Sequence, residues 1–595
     1  MKKFFLSVLS SFTGTWLAIC LFGIVAVIVF VALMINIGVS SSKSNSISFS
    51  DNGLLVLDLN GEIIERETSE APDLMTIANG DFSKPKSLTA ILDGIKAAKD
   101  NDNVKAMYID CGVISAELAI LDEIRTAVTD FKSSGKKIYA YAENMSQSSY
   151  YVASVADSIF MNPYGQFMLM GIGGYTPYFK DLLDKFDVKF QVVKVGTYKS
   201  AVEPFILSEM SQPAKAQLDT LYGALWNKIK TDISLSRKIQ SEKIDSFINR
   251  DYITCQKMDF VLKNKLVDGL CYRHEMDNRL AKIMGVDKAS EIEKVTPEEL
   301  AMTQVANNNT SHIAVVYAVG AIDDGNSTGI VSKDIVPLIL SLKDDKNVEG
   351  LVLRVNSPGG SAYGSEQIWE ALEQFKKAGK PFVVSMGDYA ASGGYYISCG
   401  ADKIFADPLT ITGSIGIFGL IPDVSGLLNN KLGVNFQLVS TNPEGYYPSL
   451  VKPLTANQYA AMQRMVEDGY DLFTKRVAEG RKMSQDRVKQ IGEGRVWSAE
   501  KAKEIGLVDE LGTLNDAVMY LSKELSMGDD INVVRYPEMA NSIWKYITLL
   551  ESENATKLVQ QYGLKNYEEL LMMQINMLIN RPQIQARMAD MYIKL

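Results

Sequence analysis

"SGGYYISCGADKIFADP" (residues 392–408) aligns without a gap on "QSSYYVASVADSIFMNP" (147–163), at an offset of 245 residues. Flanking stretches repeat as well. "IKAAKDNDNVKAMYID" (95–110) resembles "ILSLKDDKNVEGLVLR" (339–354), "VKFQVV" (188–193) resembles "VNFQLV" (434–439), and "KLVDGL" (265–270) resembles "GLVDEL" (506–511). A period this long marks two domains of common ancestry, because solenoid repeats are about 20–50 residues. Within the second copy, "HIAVVYAVGAI" (312–322) and "GLVLRVNSPGG" (350–360) read as buried strands. "SAYGSEQIWEALEQFKKAGK" (361–380) reads as the amphipathic helix leading to "PFVVSMG" (381–387). Strands alternating with crossover helices predict an α/β fold with a largely parallel sheet in each half. Two long amphipathic helices, 211–238 and 454–482, are counterparts of each other.

At 595 residues the chain exceeds one hydrophobic core. Its 47% hydrophobic and 22% charged residues are those of a globular protein. A net charge of −10 and the lack of a long basic tract argue against nucleic acid as a partner. From Trp16 to Ile35 there are twenty residues without a charge, about what a helix needs to cross the hydrocarbon core. The run exceeds the apolar core of a cleaved signal peptide and no A-x-A follows at once, so an uncleaved anchor is expected. Lys2 and Lys3 precede it and Lys43 follows, which predicts a cytoplasmic N-terminus and an extracytoplasmic body. The expected order is a cytoplasmic N-terminus (1–15), an anchor (16–37), a Ser-rich linker (38–52), one domain over 53–300, a second over 301–540 and a C-terminal extension over 541–595. Five cysteines, Cys20, Cys111, Cys255, Cys271 and Cys399, form no CxxC pair, so no structural zinc site is expected. Cys255 and Cys271 are open to pairing or to life as small apolar residues.

The two copies differ where chemistry would sit. Ser392 and Gly393 align with Gln147 and Ser148. "NSPGGSAYG" (356–364) aligns with "GVISAELAI" (112–120), so the Pro-Gly-Gly belongs to the second copy alone. "TGSIGIFG" (412–419) aligns with "FMLMGIGG" (167–174). Glycine-rich turns at strand ends let backbone N–H groups converge on an oxyanion, and strand ends are where open α/β sheets place their sites. Ser392 is therefore a candidate nucleophile, with a small residue in a tight turn as the other reading.

A serine hydroxyl needs an adjacent base. The two histidines, His274 and His312, lie outside the glycine turns, so a Ser-His-Asp triad is not expected. Lysine is the remaining common base, provided burial or a nearby cation keeps it neutral. "VGTYKSAVEPF" (195–205) carries Lys199 after an apolar run, and the matching "YYPSLVKPL" (446–454) has Pro448 in its place. Each copy lacks what the other holds, so packed halves could each supply one member of a dyad.

The motifs "SPGGS" (357–361), "AASGGYYIS" (390–398), "TGSIGIFG" (412–419), "GTYKSAVEPF" (196–205), "GRVW" (494–497) and "GLVDELG" (506–512) resemble the signal peptide peptidase A family, in its long, duplicated bacterial form. The resemblance covers residues 1–540. It implies two tandem ClpP/crotonase-like domains and a membrane-anchored serine endopeptidase with no cofactor or metal. It implies Ser392 as nucleophile, Lys199 as general base and Ser414 as the serine that orients the lysine amine. Gly360 and Gly393 would donate to the oxyanion, with Gly359 shaping the turn. The implied substrates are hydrophobic remnants of cleaved signal peptides, and the implied assembly is a membrane-tethered homotetramer with inward-facing sites. Two rival readings are a crotonase-type acyl-CoA enzyme and an anchored scaffold or chaperone; the extracytoplasmic body and the intact Ser392 and Lys199 argue against them.

Overall fold

The computed structural model describes residues 52–66, 85–303, 310–325, 329–442, 444, 449–528 and 531–537, with the backbone of 584–587. The expected anchor, nearly all of its linker, Pro448 and most of the C-terminal extension lie outside these residues. Among the described residues no helix is long and apolar enough to cross a membrane.

The first half is built from β1 (Gly53–Ile64), α1 (Leu88–Asp100), β2 (Val104–Ser115), α2 (Leu118–Lys132), β3 (Lys137–Ala142), α3 (Gln147–Ala153) and β4 (Ser158–Met161). These strands pair in parallel in the order β1-β2-β3-β4. The Ser87 hydroxyl accepts from the Ala90 N–H and starts α1, whose Leu88, Ile91, Ile95 and Ala98 are buried at three- and four-residue spacing. This half also holds β5 (Lys189–Lys194) and the 26-residue α4 (Gln212–Arg237).

The second half repeats the plan with β6 (His312–Val319), α5 (Ser332–Asp344), β7 (Val348–Ser357), β8 (Gly359–Ser361), α6 (Ala362–Lys377), β9 (Phe382–Ala391), α7 (Gly393–Ser398) and β10 (Lys403–Ala406). Its parallel order, β6-β7-β9-β10, is that of the first half. The central strands are apolar on both faces, as parallel strands covered by helices must be. Then come β11 (Ile411–Gly413), β12 (Phe418–Asp423), the 26-residue α8 (Ala456–Arg481) and β13 (Val496–Ser498). The last described strand is β14 (Ile584–Arg587).

The halves are joined by a sheet of their own. β5 of the first half pairs antiparallel with β12 of the second, from Lys194 opposite Phe418 to Lys189 opposite Asp423. Val193 is fully buried in the second half's core, and Ala391, Leu409, Ile411 and Val496 are buried in the first half's. Beside this contact Arg354 on β7 is fully buried. It donates to both carboxylate oxygens of Glu65 (2.9 and 3.1 Å) and pairs with Glu123 on α2 at 2.6 Å.

One expectation from the repeat differs. "VKFQVV" is β5, but its counterpart 434–439 forms no strand and is exposed. A strand is stable only with a neighbour for its N–H and C=O groups; β5 has β12, and 434–439 pairs with no strand among the described residues. Cys271 is buried, Cys255 is exposed, and both are free.

Candidate active site

Ser392 lies between the end of β9 and the start of α7, with φ 56° and ψ −113°. A non-glycine residue at positive φ is strained, and such strain concentrates at functional sites. Its N–H donates to Gly413 O at 2.8 Å. The following glycines let α7 pack down on β7: a Cβ on Gly394 would stand 2.6 Å from Ser357 O. Gly359 (φ 99°) and Gly360 begin β8 one residue beyond that serine, after Pro358, and a Cβ on Gly360 would stand 2.0 Å from Ile322 O. Gly393 follows Ser392 as the first residue of α7.

Lys199 arrives from the other half. After β5 has paired with β12, the chain turns at Gly196 and carries the lysine under the second sheet. Its Nζ lies 2.8 Å from Ser392 Oγ, 3.0 Å from Ser414 Oγ and 3.0 Å from Ser414 O. Lys199 and Ser414 are each 1% exposed and Ser392 is fully buried. Burial pushes the lysine amine well below its ordinary value of 10.5. Among the described residues no carboxylate pairs with it. The arrangement is a neutral amine held against a hydroxyl, with one further hydroxyl and one carbonyl to aim it. His312 bonds with Thr310 O and Tyr536 OH, and His274 stacks on Tyr272, so neither reaches Ser392.

The sequence "GRVW" has a concrete part in this geometry that its residue types did not disclose. Gly494 (φ 74°) presses on the lysine backbone, and a Cβ there would stand 2.6 Å from Lys199 Cβ. The Tyr198 N–H donates to Glu493 O (2.9 Å), the Gly494 N–H to Ile415 O (2.8 Å) and the Ser414 N–H to Arg495 O (2.7 Å). Segment 493–495 therefore clamps the lysine strand and the Ser414 turn together. The Arg495 guanidinium lies over the Tyr198 and Trp497 rings. From the first half, the Gln217 side chain accepts from the Val496 N–H at 2.9 Å. The signal available in sequence was a glycine facing nothing obvious.

The first half shows what the same turn becomes without a serine. Gln147, 1% exposed, accepts from the N–H groups of Met170 (2.7 Å) and Gly171 (2.8 Å) and donates to Gly171 O (3.0 Å). Residues 170 and 171 are the counterparts of 415 and 416. An amide that satisfies three backbone groups fills the place of the hydroxyl and the amine.

The sequence profile of peptidase family S49 matches residues 130–287 and 374–527, one stretch in each half. The chain belongs to peptidase family S49. The Clp protease profile matches residues 314–409, so the duplicated S49 domains carry a ClpP-like α/β fold. Among relatives, Protease 4 of Haemophilus influenzae is 36% identical over 509 residues, covering 82% of both chains. Protease 4 of Salmonella typhi is 36% identical over 512 residues, 84% of this chain and 82% of its own. The chloroplastic serine protease SPPA of Arabidopsis thaliana is 25% identical over 451 residues, 73% of this chain and 65% of its own. As an S49 peptidase the chain is a serine-type endopeptidase. Its two matched stretches hold Lys199 in one and Ser392 and Ser414 in the other.

Proposed function

We propose that this S49 peptidase is a membrane-anchored enzyme that degrades remnant signal peptides with a Ser392/Lys199 dyad. The observation that carries the reading is the 2.8 Å contact between Lys199 Nζ and Ser392 Oγ, with the amine buried and unpaired by acid. Neutral Lys199 takes the Ser392 proton as Oγ attacks the peptide carbonyl carbon. The N–H groups of Gly360 and Gly393 receive the developing oxyanion. The lysine ammonium returns its proton to the leaving amine, and an acyl-enzyme remains. Lys199 then activates a water that releases the acyl group. Ser414 accepts from Nζ through both oxygens and keeps the amine aimed at Ser392.

A cavity of about 110 Å³ opens beside Lys199 and Ser414. Its walls are mostly apolar: Pro177, Phe179, Pro204, Phe205, Leu218 and Tyr222. Such a lining suits an apolar side chain next to the scissile bond. The uncharged run Trp16–Ile35 would hold the body at the extracytoplasmic face of the inner membrane, where cleaved signal peptides partition into lipid. Assembly into a homotetramer would need apolar surface for a second copy, and the exposed Val434, Phe436, Leu438 and Val439, in the counterpart of the β5 strand that joins the halves, offer one.

The test is hydrolysis of a synthetic signal peptide in detergent by wild type, Ser392→Ala and Lys199→Ala. Both substitutions should abolish cleavage; cleavage that survives either one removes the dyad.

A further inference from the structure

Strands β7 and β9 carry two parts of the proposed site at their C-terminal ends: β7 leads into the glycine turn at Gly359 and Gly360, and β9 into Ser392. They pair in step from Leu351 opposite Phe382 to Val355 opposite Met386, and pairing resumes with Ser357 opposite Ala390. Asn356 therefore faces three residues of β9: Gly387, Asp388 and Tyr389. Such a bulge leaves ladder groups without strand partners, and the Asn356 side chain takes the place of one. Its Oδ1 accepts from the Tyr389 N–H at 3.1 Å. A backbone N–H can only donate, so Nδ2 faces the other way. Nδ2 donates to Asp388 Oδ2 at 3.0 Å and to Glu65 Oε1, from the first half, at 3.2 Å. Asp388, 3% exposed, accepts from the Ala119 N–H of the first half with its other oxygen at 2.6 Å. Gly387 leaves room for this cluster, because a Cβ there would stand 2.6 Å from Glu65 Oε1. The copy without the serine lacks the bulge. There β2 and β3 pair in step from Ala106 opposite Lys137 to Cys111 opposite Ala142, and the counterpart of Asn356 is Gly112, which has no side chain to offer.

We infer that Asn356, held by Asp388 and Glu65, is a positioning residue that fixes the oxyanion turn at Gly359 and Gly360 against the nucleophile Ser392. This rests on the reading that Gly360, Gly393, Ser392 and Lys199 form the catalytic site. The bulge inserts extra residues into β9 just before Ser392, so the distance from Oγ to the Gly360 N–H depends on how the bulge is folded. Asn356 clasps it from the opposite strand, immediately before the turn that carries Gly360. The side chain touches no reacting atom and acts through the two strand ends, where an error of about 1 Å is worth about 100-fold in rate. Because Glu65 and Ala119 come from the first half, the same cluster ties the oxyanion turn to the half that supplies Lys199.

The experiment compares the full-chain wild type, Asn356→Leu, Asp388→Ala and the double variant on a fluorogenic apolar peptide, below the melting transition of each. Leucine has a similar size to asparagine and makes none of its hydrogen bonds. Asn356→Leu should lose about 10- to 100-fold in kcat with KM within about twofold of wild type. Asn356→Ala, which leaves space for water, should show the same split and serves if the leucine variant does not fold. The double variant should lie no more than about threefold below the weaker single variant, because residues that act as a unit are not additive. A labelled substrate peptide should bind Ser392→Ala and Ser392→Ala/Asn356→Leu with equal affinity. Wild-type kcat in the Asn356 variants, or losses that multiply in the double variant, overturns the inference. A peptide affinity that falls as far as kcat also overturns it, because the whole site would then have loosened. Activity retained by Ser392→Ala would instead overturn the dyad, whatever the Asn356 variants do.

Discussion

Lys199 Nζ lies 2.8 Å from Ser392 Oγ across a sequence separation of 193 residues. The two residues come from different halves, and β5 pairing with β12 brings them together. The dyad is thus an interface property. Whatever loosens that strand pair separates base from nucleophile, although each half keeps its own sheet.

The pH dependence of kcat/KM should rise once, with a midpoint well below 10.5. Burial lowers the Lys199 amine, so the group is neutral and active above its lowered value and protonated and inactive below it. Lys199→Arg should lose about 10⁴ in kcat, because a guanidinium stays charged. Ser414→Ala should lower kcat about 10- to 100-fold with little change in KM, as an orienting contact does. A midpoint near 10.5 would show an ordinary solvated lysine.

Gly494→Ala should inactivate without unfolding. The new Cβ would stand 2.6 Å from Lys199 Cβ, at a φ of 74°. Displacement of the lysine by about 1 Å is enough for a ~100-fold loss in kcat, and the left-handed backbone adds about 1 kcal/mol of strain. Steady-state kinetics beside a thermal melt check both, and wild-type kcat refutes the clamp.

Legibility in sequence followed the range of the interactions. Alternation of apolar runs with amphipathic helices is local, so the α/β halves and their repeat could be read directly from stretches such as 392–408 and 147–163. The complementary loss of Ser at position 147 and of Lys at Pro448 pointed across the halves without showing how they meet. The β5–β12 ladder joins residues more than 220 positions apart and leaves no periodic trace. The apolar run 434–439 carries the same pattern as β5, yet whether such a run becomes a strand depends on a partner edge that the pattern does not contain. Gly494 lies within "GRVW", but only the approach of Lys199 explains why a side chain is excluded there. The antiparallel pairing of β14 with β8 was equally hidden, since backbone hydrogen bonds need no particular side chains.

Gln147→Ala should destabilise the first half by about 0.5–1.5 kcal/mol, the net worth of the hydrogen bonds that the buried Gln147 amide accepts from the Met170 and Gly171 N–H groups. Catalysis at saturating substrate should be unchanged. Gln147→Ser in a Ser392→Ala background should give no activity, because the first half has Gly112, Val113 and Ile114 where the second has its Asn-Ser-Pro turn, and among the described residues no lysine bonds to Gln147. Chemical denaturation and peptide hydrolysis measure the two effects separately.

If the proposed assembly uses the exposed run 434–439, Phe436→Glu should reduce the solution mass of the detergent-solubilised protein by light scattering. The ring is 51% exposed in the single chain, so the substitution is tolerated by the monomer and disfavoured only where a second copy covers it. Unchanged mass would mean that the run 432–439 is ordinary surface.

Arg354→Met should be among the most destabilising single changes, by about 3–5 kcal/mol, because Glu65 and Glu123 would remain buried without their cation. The same contact sets a pH trend. Burial, with the nearby charges of Glu65 and Glu117, pushes Asp388 up to about 8. In the unfolded chain an aspartate titrates near ~3.9. Between these values the folded protein holds a proton that the unfolded chain has released, so its stabilisation is complete at low pH and is lost as pH rises towards 8. Asp388→Asn should remove about one proton from that dependence, a slope of ~1.4 kcal/mol per pH unit. Asp388 accepts from the Ala119 N–H and from Asn356 Nδ2, and one of an amide's two ends can still accept one of these bonds. Denaturant titrations at pH 5 and pH 8 should therefore lie closer together in the variant than in the wild type, the remaining separation coming from Glu123 and Asp407, whose carboxyls burial also raises. Equal separation in both would place the titrating group elsewhere at the interface.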